Sequence, residues 1–106
     1  MKQVIDRPAM TDLTTLELSA FTPLVGETFR VKVESGEMDL VLHEANALGM
    51  AVREGGAFSL IFLNSEEEQL AQQLFTLHHP ALGDLQLLLV PLGPLGEAMA
   101  YEAVFT

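Results

Sequence analysis

The chain has 106 residues, 49% of them apolar, no cysteine, and 15 acidic against 5 basic side chains for a formal charge of −10. That length suits one domain whose core buries roughly two thirds of the unfolded surface, and the missing cysteine excludes disulfides, thiolate catalysis and cysteine-based metal sites. The acidity repels phosphate backbones and anionic headgroups, so neither nucleic acid nor a membrane is an expected partner.

Residues 1–12 mix charge, Pro8 and small side chains without period and read as a loose lead-in to a single β domain over 13–106. The start lacks the apolar block of a secretory signal, and no run approaches the roughly 20 residues of a membrane span, so the expectation is a cytoplasmic product. Between Thr14 and Gly26 the apolar positions do not alternate cleanly. Thr14 or Thr15 offers a cap for a helix of about two turns that stops before Pro23 and packs through Leu16 and Phe21. Leu16-Glu17-Leu18 also suits the opening of a strand.

From Thr28 the pattern becomes clean alternation. Phe29, Val31 and Val33 fall on one face, then Met38, Leu40 and Leu42 on the same face of a second run, with Ser35-Gly36 between them as a two-residue hairpin loop. Residues 45–56 carry Asn46, Gly49, Gly55 and Gly56 with few periodic apolar positions and read as a long loop. The run from Ala57 to Asn64 is apolar on both faces at its centre, as a strand flanked and covered on both sides would be.

Helix and strand compete over Ser65–Leu74. Ser65 with Glu68 forms a capping box, and Leu70, Leu74 and Leu77 share a helical face. Beyond the His79–Asp84 turn, Leu85–Val90 and Tyr101–Phe105 read as strands joined by a connection containing Pro91, Gly93, Pro94 and Gly96.

Phe75-Thr76-Leu77-His78-His79-Pro80-Ala81-Leu82-Gly83, then Leu88-Leu89-Val90-Pro91-Leu92-Gly93-Pro94, and finally Tyr101-Glu102-Ala103-Val104-Phe105-Thr106 resemble a family of small bacterial domains of unknown function. That family's pattern runs Q-x-x-Y-x-x-x-H-P-x-L-G, L-F-L-V-P-x-G-P and Y-E-A-V-F-N. Phe21–Phe29 and Phe58–Phe62 fit it too, so the resemblance covers the chain from about Leu16 onward. Phe75, Leu88 and Thr106 depart from the usual Tyr, Phe and Asn. The resemblance implies an all-β domain whose genes often neighbour phage-tail-collar-like or fibre-like proteins, and hence a protein partner. It also implies a strand over Gln73–His78, with the capping box reduced to one helical turn at Ser65–Gln69.

No segment carries an enzyme signature. His43, His79 and Glu44 have neither H-x-H nor H-x-x-x-H spacing, so a metal site would need them to converge across strands. The alternative reading has His79 capping the turn at Pro80, with His43 and His78 facing solvent. Ser59, Ser65 and Thr76 lack a glycine-flanked elbow or a paired base, Glu66, Glu67 and Glu68 lack the alternating oxygens of a calcium loop, and Gly93-Pro94-Leu95-Gly96 lacks phosphate-loop spacing. No catalytic residue, metal or cofactor is expected.

Val41, Ile61, Leu63 and the leucines of Leu85–Leu92 place apolar side chains on the second face of the sheet. Either closure covers them, or some stay exposed as an interface for a protein partner or a homodimer. The expectation is an all-β fold, a small antiparallel β-barrel or sandwich of about six strands with a short N-terminal helix, acting as a non-catalytic adaptor that binds another protein. An acidic inhibitor or immunity-type protein that blocks a basic surface is the alternative, and a small-ligand carrier ranks behind both.

Overall fold

The computed structural model describes residues 11, 13, 16–34, 36–48, 57–64 and 70–105. Six strands form a closed antiparallel barrel: β1 (Thr28–Val33), β2 (Gly36–Ala47), β3 (Phe58–Asn64), β4 (Gln73–His79), β5 (Gly83–Leu95) and β6 (Ala98–Phe105), in the order β1-β2-β3-β6-β5-β4. Closure, rather than two packed sheets, follows from β1 pairing back to β4 through Arg30 opposite His78 and Val31 opposite Leu77. This closing seam has only those two register pairs, whereas β3 and β6 share seven.

The inward faces are those the alternation predicts. Phe29 and Val31 of β1 and Met38, Leu40 and Leu42 of β2 are buried, and they join Leu60, Phe62, Leu77, Leu85, Leu89 and Tyr101 in one apolar cluster. The β1–β2 turn sits one residue earlier than the sequence suggests. Val33 pairs with Gly36, so Gly36 opens β2 rather than closing the loop, and its φ of 134° explains why glycine stands there.

Strand β2 also overturns the expectation of a loop from residue 45, for it continues to Ala47. Leu42 pairs with Phe62 but Glu44 pairs with Ile61, leaving His43 as a bulge. The extra residue resets the inside–outside parity, so the hydrophobic period breaks while the backbone ladder runs on through Ala45–Leu60, Asn46–Ser59 and Ala47–Phe58. Residues 49–56 lie outside the described set, as do Ser65–Gln69 with their capping box. The strand implied over Gln73–His78 is present as β4, one residue longer.

The Gly/Pro stretch is likewise not a plain connection. β5 runs to Leu95 and β6 begins at Ala98, with Gly96-Glu97 as the turn and a bulge at Leu92 between the pairs Pro91–Tyr101 and Gly93–Ala100. β4 accompanies β5 only as far as Leu89, so among the described residues the arm beyond is paired on one edge only, with β6. Pro91 and Pro94 are tolerated there because an edge residue need not donate an N–H to a neighbour.

At the N-terminal side, the expected short helix is present as one α-helical turn, α1 (Leu18–Phe21), followed directly by a 3₁₀ turn over Thr22–Leu24. Glu17, not Thr14 or Thr15, precedes the first turn. Pro23 does not stop the chain, because in the first positions of the 3₁₀ turn its missing N–H has no partner to lose. The pair of turns closes one end of the barrel. Phe21, fully buried, lies 5.7 Å from the Phe58 ring and 5.6 Å from Phe105, which itself stacks on Phe58 at 4.4 Å.

One buried polar group ties this core to the β4 approach. The Leu70 N–H donates to the Tyr101 hydroxyl at 2.8 Å. Tyr101→Phe keeps the ring and strands that buried N–H, so unfolding free energy should fall by about 1–3 kcal/mol, read by urea denaturation; a change within about 0.5 kcal/mol would show that the bond contributes nothing net.

Candidate functional site

The interior holds a contiguous apolar cluster, so recognition falls to the outer surface, which has two unlike sides. The first is built on β3. Its outward residues are Ser59, Ile61 and Leu63, and register fixes their neighbours: Val41 and Ala100 flank Leu63, Glu44 and Glu102 flank Ile61, and Asn46 and Val104 flank Ser59. On the far side of β6, Val90 pairs with Glu102, and Leu88 of β5 pairs with Leu74 of β4.

This side is apolar and partly exposed. Leu74 is 58% exposed, Val104 49%, Leu88 47% and Val41 38%, while Ile61, Leu63 and Val90 are half-buried. Ser59 and Ala100 are buried despite pointing outward, because short side chains sit below the level of their larger neighbours. Two carboxylates bracket Ile61. Glu44 accepts a hydrogen bond from Asn46 Nδ2 at 3.0 Å and lies 3.5 Å from His43 Nε2. Glu102 is half-buried and has no partner among the described residues. A carboxylate that has lost part of its water and gained no counter-charge favours a cation brought from outside.

Closure of the barrel thus buries one face of each strand and leaves the second-face residues outside. Of the two outcomes posed by the sequence for Val41, Ile61 and Leu63, partial exposure is the one found.

The other side is charged. Asp39, Arg30, His78 and Asp84 stand in register across β2, β1, β4 and β5. His78 Nδ1 lies 2.7 Å from Asp84 Oδ1, while Arg30 Nε and Nη1 lie 3.6 Å from Asp39 Oδ1 and Glu37 Oε1. Thr28, Arg30, His78 and Pro80 line an open cleft of about 370 Å³ between β1 and β4.

The histidines weighed as metal ligands are separated. His43 pairs with Glu44 on β2, whereas His79 is buried, its ring 4.8 Å from Phe29 and its Nε2 2.6 Å from Glu27 Oε1. His79 Nδ1 accepts the Ala81 N–H at 3.0 Å, so the residue caps the Pro80 turn as the sequence suggests. Among the described residues no three His, Asp or Glu side chains converge as a metal site would require. Ser59 and Thr76 face outward from β3 and β4, and Ser65, Glu66, Glu67 and Glu68 lie outside the described set. No described helix is long and apolar enough to cross a membrane.

Sequence reasoning missed the Asp39–Arg30–His78–Asp84 row and the isolation of Glu102. Both depend on register between strands distant in sequence, which one-dimensional periodicity does not carry. A family model described as a domain of unknown function, DUF6916, matches residues 16–105. No curated protein and no solved structure matches the chain.

Proposed function

We propose that the chain, which belongs to the DUF6916 family, is a non-catalytic adaptor that binds another protein through the outer face of β3, β6 and the middle of β5, as a component of a tail-like or fibre-like assembly. The observation that carries this reading is the partly exposed apolar side around Ile61 and Leu63, with Glu102, which has no partner among the described residues, beside Ile61. Apolar side chains flanked by a few polar groups are what many interfaces share. The partner is a protein presenting an apolar patch with a Lys or Arg placed to meet Glu102. A second copy of this chain fits less well, since it would bring carboxylates and a net charge of −10 against their like.

A photo-crosslinking residue at Ile61, compared with one at Thr76 on the charged side, tests the reading in the native host. A discrete adduct should form at position 61 and not at 76, persist at high salt, and fall at least tenfold with Leu63→Asp, which about 1.4 kcal/mol suffices to produce. Equal labelling at both positions, or none, overturns it. The acidic inhibitor is the second reading, favoured by the net charge; under it the adduct disappears as salt screens the contact.

A further inference from the structure

We infer that the cleft between β1 and β4 is a binding site for a carboxylate group, held by Arg30, His78 and Thr28. The inference does not rest on the apolar face, which the cleft meets only at one edge, where Thr28 pairs with Val41.

The first support is the placement of positive charge. The chain has five basic residues, and the two within the described set, Arg30 and Lys32, both stand on the outward face of β1. Cross-strand pairing then sets His78 directly opposite Arg30. In a molecule of charge −10 this is where the basic side chains of the described residues are gathered.

The second support is that these donors are not used up. The carboxylates of Glu37 and Asp39 lie 3.6 Å from the Arg30 nitrogens, close enough for Coulomb attraction but beyond hydrogen-bond length. The planar N–H fork therefore remains available to a carboxylate, for which its geometry is matched.

The third support is the fixed orientation of His78. Asp84 accepts from the ring at Nδ1 and so fixes its orientation; the opposite nitrogen, Nε2, donates to a carboxylate in the imidazolium form, in which both ring nitrogens carry a proton. Asp84 is itself held in place. Its backbone carbonyl accepts the Thr11 N–H at 2.9 Å, and the Thr11 hydroxyl donates to the Leu82 carbonyl at 2.5 Å across the same turn. Thr28 adds a hydroxyl donor and Pro80 an apolar wall, in a space near the small end of the range for ligand sites.

The surroundings select the charge of the ligand. Glu37, Asp39 and Asp84 border the donors, so a phosphate dianion meets about twice the repulsion that a carboxylate does. Carboxylates reach such a cleft as the end or side chain of a peptide or as a free small acid; both share the recognised group.

NMR titration of the full chain, following the His78 ring and Arg30 Nε–H signals, tests the assignment. N-acetylglycine should move both signals with millimolar affinity, N-acetylglycinamide should not, and Arg30→Gln should weaken the effect at least tenfold while amide spectra confirm the fold. A longer peptide with a free C-terminus that binds more tightly than N-acetylglycine points to a peptide source, and equal affinity points to a small acid. The site is overturned if the amide probe or matched sodium chloride moves the signals equally, if phosphate binds more tightly than the carboxylate, or if Arg30→Gln leaves the shifts intact.

Discussion

Phe58→Ala should lower the unfolding free energy by about 3–5 kcal/mol, the range for emptying an aromatic site in a packed core. Phe58 is fully buried where β3 meets the closing turns, stacked on Phe105 and tilted against Phe21. Its loss removes two aromatic contacts, each worth about 0.5–1.5 kcal/mol beyond burial, and leaves Phe21 without the surface that holds α1 against the barrel end. Domains of this size are stable by only about 5–15 kcal/mol, so the substitution consumes much of the margin. With urea m-values of about 1–3 kcal/mol per molar, the midpoint should drop by about 2 M. Val104→Ala is the contrast. Val104, on the neighbouring β6, is apolar too, yet 49% exposed, and should shift stability by no more than about 0.5 kcal/mol. Similar losses for the two would contradict the assignment of Phe58 to the core and Val104 to the outer face.

The second large effect is expected at His79. Because Nδ1 accepts the Ala81 N–H, the ring proton resides on Nε2, which donates to Glu27; the ring lies against Phe29 in the buried interior. His79→Ala empties that space and orphans the Ala81 N–H, and should cost about 2–4 kcal/mol. His79→Asn separates the parts. A short side-chain carbonyl two residues before an N–H forms an Asx-turn, so asparagine restores the Ala81 bond while losing Glu27 and the packing on Phe29. It should recover about 1 kcal/mol of the alanine loss, measured by the same denaturation. Equal stability of the two variants would show that the turn does not depend on the His79 cap.

What could be read from the chain and what could not divides along a physical line. Alternation in Phe29-Arg30-Val31 and in Met38-Asp39-Leu40 identifies the inward face because one face of a strand must be apolar to be buried. The same logic misplaces the ends of β2, β5 and β6, since the bulges at His43 and Leu92 shift parity by one without ending the backbone ladder. The 3₁₀ turn through Pro23 is too short to show any period. The outer-face apolar set was visible as an excess on Val41, Ile61 and Leu63, but its isolation of Glu102 was not. The charged row across four strands has no sequence signature at all: residues 30, 39, 78 and 84 become neighbours only through three independent registers.

The edge of the β5 arm away from β6 has a consequence for how copies of this chain coexist at high concentration. The segment from Val90 to Leu95, paired among the described residues only with β6 and carrying Leu92 at 53% and Leu95 at 47% exposure, presents a strand edge of the kind that can recruit a further strand. Pro91 and Pro94 deny an incoming strand two of the N–H donors it would need, and the bulge at Leu92 bends the line along which it would have to lie. The arm therefore carries its exposed leucines on a ladder that is interrupted for any strand added to that edge.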